Sequence, residues 1–377
     1  MCQKMTFQKN FKEDKIMAEP TVLGYIKEQP ERLKYVFENK DVFVKPFVDV
    51  FTKNNIKKVI FFGSGTSYNV SILGTYYFKH LVGIDAEYQY PTVFKNYEKA
   101  DWSGLLKKDE ILYVGISQSG TSISTCEVMK YAKQEGYHTL AITGNLNSEI
   151  TKYVDTKVHL LVGDELTPPE TKGYTTSVIS VYLWAVECAH VKGVMSDDEY
   201  EKALDETKKL VDQFQTVVDE SEAWYDRNRT TIVNSDRLYF LGYGIDFATA
   251  IEAQLKVGEM LRLPALGYEI EEYSHGPTMA ISKKQTICII GSDEAEFEHS
   301  VDFSKSFKKY TDRVHFITCK DLGNDPIDCV FSVKTNKYLA PLMFTVPFQF
   351  VAAKGAKDIG IDTAINPFDE NLAHYKD

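Results

Sequence analysis

The chain has 377 residues, of which 44% are hydrophobic and 26% are charged, and its formal net charge is -11. A chain of this length usually folds into about two domains, and the composition is typical of a globular protein. The negative charge excludes the clustered basic surface that binds nucleic acids or anionic membranes. Any anionic ligand must therefore be held by local groups.

Cysteine usage and hydropathy indicate a cytoplasmic protein. The six cysteines form no C-x-x-C pair and lie mostly in apolar runs, which favours a reducing compartment and argues against a zinc site. The first twenty residues are too polar for a signal peptide. The apolar stretch 339–353 is short for a membrane span and contains Pro341 and Pro347. The sequence predicts no membrane segment, metal or cofactor.

Two strand–turn–helix units open the first half of the chain. Residues 59–62 form a short apolar run, followed by a turn rich in glycine and serine and by apolar residues at helical spacing. Residues 111–116 repeat this pattern, with 117–122 as the turn. Residues 140–143 and 157–161 predict further strands. Strands that alternate with helices predict an α/β fold with a doubly wound parallel sheet.

The second half looks like a diverged copy of the first. Residues 237–244 echo 58–65, and 286–291 echo the strand before the serine-rich turn. Residues 292–296 stand where that turn would be and carry carboxylates that would repel an anion, so only the first half is equipped to hold a phosphate. The predicted units are an N-terminal helical segment (1–45), a phosphate-binding domain (46–195), one linking helix with a buried stripe (196–229), and a second domain with a C-terminal tail (230–377).

The turn at 117–122 is the most specific motif. It brings four hydroxyls to the start of a helix, whose unpaired N–H groups and dipole favour an anion. A cluster that only caps its own helix is the alternative, but four hydroxyls exceed what one cap needs. The pair Gly63 and Gly65 indicates no dinucleotide site, because the third glycine of that fingerprint would fall at Tyr68.

Two further motifs do not indicate a catalytic function by themselves. Glu252, Lys256 and Glu259 lie on one helical face, which is also the spacing of an ordinary exposed ion pair. His275 precedes a Gly-Pro loop signal, where a surface histidine is common.

Together with the glycine and serine turns, these segments resemble the sugar isomerase (SIS) domain family, and the duplication resembles the isomerase half of glucosamine-6-phosphate synthase. The matching stretches, in order, are 63–67, 116–120, 170–172, 252–259, 275–277, 340–341 with 345–347, and 371–373.

The resemblance implies two tandem SIS domains and a sugar-phosphate ligand. It implies that Glu259 moves a proton between C1 and C2, and that His275 assists ring opening from the neighbouring subunit of an obligate homodimer with a shared active site. A carboxylate and an imidazole suit these tasks chemically. The implied phosphate ligands are Ser67, Ser117, Gln118, Ser119 and Ser122, with Thr121 between them. Further implied binding residues are Gly65, Thr66, Thr171, Glu252, Lys256 and Lys376.

Two departures from the synthase narrow the expected function. The synthase has an N-terminal glutaminase domain with a cysteine nucleophile after the initiator methionine, whereas only a few dozen residues precede the first sheet here, so we interpret Cys2 as a coincidence. The synthase also has a Schiff-base lysine directly after its Asn-Leu-Ala, where this chain has His374, with Lys376 two residues later. The amine that opens the ketose is therefore missing or displaced, and His374 is the candidate catalytic residue of the tail.

These departures resemble bacterial deglycases that split fructosamine or glucosamine-type 6-phosphates into a hexose 6-phosphate and an amino acid. Such a substrate brings its own amine, so we predict a deglycase. A synthase-type isomerase that uses ammonia, with Lys376 as the amine, and a non-catalytic sugar-phosphate sensor remain alternatives. The released amine and the hexose product stay open. Candidate contacts to the amine are 268–272, whose acidic side chains suit a cation, and the tail near His374.

Overall fold

The computed structural model describes residues 20–292, 294–323, 325–368 and 372–375. Within them the chain forms two five-stranded parallel sheets, each flanked by helices, which confirms the predicted α/β fold with two similar domains in tandem. The first sheet has the order β2-β1-β3-β4-β5, with β1 (Lys58–Phe62), β2 (Asp85–Gln89), β3 (Ile111–Ile116), β4 (His138–Thr143) and β5 (Thr156–His159). The second has the order β10-β9-β8-β6-β7, with β6 (Arg237–Gly242), β7 (Ala265–Glu269), β8 (Gln285–Ile290), β9 (Val314–Thr318) and β10 (Cys329–Val330).

Helices cover both faces of each sheet. Those before and around the first sheet are α1 (Val22–Glu38), α2 (Asp41–Lys53), α3 (Thr66–Tyr77), α4 (Pro91–Tyr97), α5 (Ile123–Gln134) and α6 (Lys172–Val191). Those between and around the second are α7 (Asp197–Asp212), α8 (Phe214–Val233), α9 (Asp246–Lys256), α10 (Ile270–Ser274), α11 (Phe297–Phe307), α12 (Ala340–Phe344) and α13 (Val346–Asp358). Short 3₁₀ segments occupy Lys108–Glu110, Glu149–Tyr153 and Pro277–Ala280.

The register of the central strands places the serine-rich turn. β1 and β3 are buried along their whole length and pair in parallel, with Phe62 opposite Gly115. Both strands therefore end at the same edge of the sheet, where the connections leave in different directions to β2 and β4. This switch point is where open α/β sheets bind ligands.

Two predicted boundaries differ from the structure. The predicted N-terminal helical segment ends at residue 45, but α2 continues to Lys53 because Phe47 and Phe51 extend its buried face. The linking helix predicted at 196–229 is two helices, α7 and α8, which meet at Gln213. α7 packs on α1, whereas α8 packs mainly on α13, so each of the two helices buries its own stripe.

One continuous core joins the two domains. The apolar stretch that begins near residue 339 forms α12 and α13, which are buried in this core and pack against helices of both domains. The Glu28 carboxylate of α1 pairs with Lys172 (2.7 Å) and with Arg32 (3.2 Å), and this buried cluster ties the N-terminal helices to α6. Among the described residues, none of the helices is both long and apolar enough to cross a membrane.

The repeats share an unusual helix end. α3 continues into the π-helical turn Phe78–Val82, and α9 continues into Val257–Leu261. Each turn ends in a left-handed residue, Gly83 (φ 67°) in the first domain and Arg262 (φ 57°) in the second. A π turn widens the helix, and such turns occur often at functional sites. The second of these turns carries Glu259.

Candidate active site

A cavity of about 510 Å³ lies at the carboxyl edge of the first sheet, and we call it the sugar cavity. Both domains and the C-terminal tail line it. The predicted residues that line it are Gly65, Thr66, Ser67, Ser117, Gln118, Ser119, Ser122, Lys256, Glu259 and His374. Four predicted residues do not line it, namely Thr121, Thr171, Glu252 and His275, and Lys376 lies outside the described residues. Lining residues that the sequence did not single out include Ser64, Thr92, Ser124 and Glu170.

The serine-rich turn is held in one shape by its own hydrogen bonds. The N–H of Gly120 donates to Ser117 Oγ (3.1 Å), and the hydroxyl of Thr121 donates to Ser119 Oγ (3.1 Å). Gly120 has φ 70°, and a Cβ there would lie 1.9 Å from Ser148 Oγ. The turn ends where α5 begins, so the N–H groups of the first helical turn lie next to the hydroxyls.

Glu165 fixes the position of Gln118. Its carboxylate accepts hydrogen bonds from the N–H groups of Thr171 (2.7 Å) and Gly173 (2.9 Å) at the start of α6, and from Gln118 Nε2 (3.1 Å). The Thr171 hydroxyl also donates to Glu165 (2.8 Å), which explains why Thr171 does not face the cavity. A Cβ at Gly173 would lie 1.5 Å from Gln118 Oε1, so a larger residue there would displace the Gln118 side chain.

The C-terminal tail crosses the serine-rich turn. The N–H of Ile123 donates to the carbonyl of Ala373, and the N–H of Tyr375 donates to the carbonyl of Thr121, both at 2.9 Å. This antiparallel pairing brings His374 Nδ1 to 3.1 Å from Thr121 Oγ1. The imidazole therefore lies beside the hydroxyls of the turn, at the end of the cavity where the phosphate is expected.

A charge cluster centred on the buried Lys256 forms the part of the wall that the second domain contributes. Lys256 Nζ lies 2.8 Å from Glu259 Oε2 and 3.7 Å from Glu252 Oε1. Burial alone would lower the pKa of Lys256, but the carboxylates of Glu252 and Glu259 raise it above its usual range. Glu252 is fully buried and accepts hydrogen bonds from Thr66 (3.2 Å) and Asn69 (2.7 Å) of α3. Glu252 thus joins α9 to α3 and holds Lys256, while Glu259 reaches the cavity.

Glu170 is a second carboxyl group in the cavity wall. It follows Pro168 and Pro169, whose rings restrict the backbone of this loop. Burial raises the pKa of Glu170 to about 8, against a smaller opposing effect of Lys256. In the sequence it belongs to a matching stretch, but no pattern there indicates that it lines the cavity.

Glu170→Gln should reduce the loss of stability at alkaline pH. Folding raises the pKa of Glu170 from near 4.5 to about 8, so the folded state binds more protons and stability falls as pH rises between these values. Glutamine removes this dependence. Scanning calorimetry measures the melting temperature of the variant and of the wild type. The difference, variant minus wild type, should become larger as pH rises from about 5 to about 8. The exposed Glu298→Gln is the matched control, and equal pH profiles for Glu170→Gln and the wild type would refute the prediction.

A family model for the SIS domain matches residues 54–187 and 231–327, which is more than half of the chain. This chain belongs to the SIS domain family. The glutamine–fructose-6-phosphate aminotransferase (isomerizing) of Clostridium tetani is 25% identical to it over 353 residues, 90% of this chain and 56% of that protein. The enzyme of the same name from Fusobacterium nucleatum is 27% identical over 347 residues. The SIS chain spans about half the length of these curated relatives.

Solved structures share the two-domain arrangement over most of this chain. A provisionally named phosphosugar isomerase from Clostridium difficile 630 is 27% identical, with a TM-score of 0.83 over 93% of this chain and 96% of that one. The C-terminal domain of glucosamine-fructose-6-phosphate aminotransferase from Francisella tularensis has a TM-score of 0.79 at 21% identity, over 90% of this chain and 95% of that one. The second match supports the fold alone.

The second SIS domain fills the corresponding turn with its own carboxylates. Asp246, at the start of α9, is buried and accepts hydrogen bonds from the N–H (2.8 Å) and hydroxyl (2.9 Å) of Ser292. Burial raises the pKa of Asp246 to about 7. Glu294 approaches Gly244 in the turn after β6 and pairs with Lys337 at 3.1 Å. That only the first SIS domain holds a phosphate stays a prediction, which these acidic groups support.

His275 is exposed on the surface of the second SIS domain. Its side chain is 68% accessible, and Nε2 lies 3.5 Å from Glu271 Oε1. It follows α10 and does not line the sugar cavity of its own chain. A catalytic role for His275 therefore requires a second chain, as the family resemblance implies, and it stays a prediction.

Proposed function

We propose that this SIS protein is a sugar-phosphate deglycase. It would cleave a phosphorylated sugar-amine adduct, of the fructoselysine or glucoselysine 6-phosphate type, into a hexose 6-phosphate and a free amino acid. The observation that carries the proposal is the sugar cavity itself, which Glu259 and the serine-rich turn line together. The similarity to enzymes named for fructose 6-phosphate supports a sugar phosphate as ligand.

The serine-rich turn would bind the phosphate. The hydroxyls of Ser67, Ser117, Ser119 and Ser122 face the cavity together with the start of α5. Hydroxyls and helical N–H groups bind a phosphate without a basic surface, which suits a chain with a net charge of -11. His374, in contact with the hydroxyl of Thr121, would add a donor at the same end, in keeping with a role in binding.

Glu259 would transfer the proton between C1 and C2. In a fructosamine 6-phosphate, the carboxylate removes a proton from C1 and the resulting enaminol is protonated at C2, which leaves an imine at C1. Water adds to this imine and releases the amine and glucose 6-phosphate. In the 2-amino adduct the same steps run from C2 to C1, and the product is fructose 6-phosphate. The net reaction is hydrolysis, with no change in the overall oxidation state.

Lys256 lines the sugar cavity but is poorly suited to forming a Schiff base. The cavity therefore suits a sugar-amine adduct better than free fructose 6-phosphate. Among the described residues that line the cavity, Lys256 is the only lysine. Its ammonium is buried and ion-paired, and its raised pKa keeps it protonated, so it is a poor nucleophile for a Schiff base. A substrate that already carries its amine needs no such lysine.

The second chain of a homodimer would supply His275. The imidazole is exposed and lies outside the cavity of its own chain, so it could assist ring opening only at a neighbour's site. Imidazole titrates near neutral pH and can deliver a proton to the ring oxygen.

A product screen tests the proposal. The protein is incubated with fructoselysine 6-phosphate, glucoselysine 6-phosphate and analogues with other amines, and the products are identified by mass spectrometry. Release of a hexose 6-phosphate and the amine supports a deglycase. Formation of glucosamine 6-phosphate from fructose 6-phosphate and ammonium would instead show a synthase-type isomerase, which the similarity over 90% of the chain also favours. Binding of sugar phosphates without any turnover would show a sensor.

Ser119→Ala should weaken substrate binding more than turnover. The variant loses one hydroxyl at the phosphate, and a hydrogen bond to a charged group contributes about 1.5–3 kcal/mol, so KM should rise roughly tenfold or more while kcat changes little. Steady-state kinetics measure both. Ser306→Ala, on the exposed side of α11, is the control. An unchanged KM for every single substitution within 117–122 would show that the phosphate binds elsewhere.

A further inference from the structure

A second cavity adjoins the sugar cavity at Glu259. Its volume is about 370 Å³, and it shares Pro168 and Glu259 with the sugar cavity. Its remaining walls are Pro169, Gly258 of the π turn, Arg262 directly after that turn, and the segment 363–367 before the tail. We call it the outer cavity. Glu259 therefore stands between two spaces, of which only the sugar cavity contains the serine-rich turn.

Arg262 occupies a backbone position that favours glycine. It has φ 57°, in the left-handed region, where a side chain is strained and glycine is not. The first domain provides an internal comparison, because the residue at the same point after its π turn is Gly83, with φ 67°. Arg262 is exposed, so burial of its side chain does not offset the strain. A strained residue beside a candidate catalytic carboxylate points to a role for its side chain.

The guanidinium of Arg262 keeps most of its donors for a ligand. Nη2 donates to the carbonyl of Ile365 at 2.9 Å, which holds the side chain against the 363–367 segment. No carboxylate among the described residues forms an ion pair with Arg262. A guanidinium has five N–H donors in a planar fork that matches a carboxylate. The outer cavity thus presents a pre-positioned site for an anionic group.

We propose that the outer cavity binds the amino-acid part of the substrate and that Arg262 binds its carboxylate. This inference rests on the proposed function. Glu259 must reach C1 and C2, and the amine nitrogen is attached to one of these carbons. With the phosphate at the serine-rich turn, the amine substituent leaves the sugar at Glu259, where the outer cavity begins. The substrate class is therefore a 6-phosphosugar joined to a carboxylate-bearing amine, rather than to a simple alkylamine.

This assignment moves the amine contacts away from both segments that the sequence favoured. The His374 imidazole lies at the phosphate end of the sugar cavity, on the serine-rich turn. The acidic run begins with Glu269, the last residue of β7, whose carboxylate accepts the N–H of Glu272 (2.9 Å) and so caps α10. Neither segment lines the outer cavity.

The test compares ligands with and without the carboxylate in a protein that does not turn them over. Isothermal titration calorimetry on Glu259→Gln measures the affinity of glucose 6-phosphate, of the fructosyl 6-phosphate adduct of butylamine, and of the adducts of alanine and of lysine linked through its side chain. The adducts of alanine and lysine, which carry a carboxylate, should bind about tenfold or more tightly than the adduct of butylamine, because one charge-assisted contact contributes this much. The alanine and lysine arms distinguish a carboxylate close to the nitrogen from a distant one.

Arg262→Gly, added to Glu259→Gln, should abolish the gain from the carboxylate and leave the affinity for the butylamine adduct unchanged. Glycine fits the left-handed backbone, so this variant should be at least as stable as its parent, and Arg262→Lys should keep only part of the gain. Equal affinity for adducts with and without the carboxylate would overturn the proposal, as would an equal loss for all ligands in Arg262→Gly. If the carboxylate improves affinity but the wild-type protein, with Glu259 intact, releases no amine, the outer cavity is supported as a binding site and the deglycase function is refuted.

Discussion

Glu259→Gln should lower kcat for sugar-amine 6-phosphates by about 10²–10⁴-fold while KM changes little. Glutamine has almost the same shape as glutamate and can still accept the hydrogen bond from Lys256 Nζ, which lies 2.8 Å from the native carboxylate. It cannot take a proton from carbon, so the loss falls on the transition state. Single-turnover assays with detection of the released amine measure the chemical step directly.

Two further variants complete the Glu259 experiment. Glu259→Asp keeps a carboxylate that is one methylene shorter, so it should retain part of the activity. Glu298→Gln removes the same charge from the exposed face of α11 and should turn over like the wild type. Near-normal turnover by Glu259→Gln would eliminate the proposed base, whichever adduct proves to be the substrate.

The central strands could be predicted from the sequence because they are buried on both faces. β1 and β3 are continuous apolar runs, and burial on both sides is what produces such runs in parallel sheets. β2 and β7 were not predicted, since each lies at a sheet edge and its side chains are mostly half-buried, with no continuous apolar run. β9 was not predicted either, although its sequence, Val-His-Phe-Ile-Thr, contains the β-branched and aromatic residues that are typical of strands.

The candidate site was predictable only in part, because several of its contacts join residues far apart in sequence. The serine-rich turn is a local motif and lines the cavity as expected. Glu165, which holds Gln118, lies 47 residues from it in a loop without periodicity, so no pattern indicates the contact. Glu252 was predicted to bind the ligand, but it binds Thr66 and Asn69 instead, since its side chain points into the interface between α9 and α3.

Lys256→Met should destabilise the protein more than any other single change in the cavity wall. Lys256 and Glu252 are both buried, so removal of the ammonium leaves a buried carboxylate without its counter-charge. Breaking a buried pair in this way costs about 3–5 kcal/mol of the free energy of unfolding. Lys305→Met, which removes an exposed ammonium from α11, should have little effect.

The pH dependence and a double variant identify the origin of this loss. Burial already raises the pKa of Glu252, and Lys256 opposes that shift, so Lys256→Met should raise the pKa further. A carboxyl whose pKa is higher in the folded state loses stability as pH rises, so urea unfolding should show a larger loss near pH 8 than near pH 5. Lys256→Met with Glu252→Gln should regain much of the stability, because the remaining group carries no charge. A loss that is independent of pH and persists in the double variant would mean that Lys256 contributes through the packing of its methylene chain rather than through its charge.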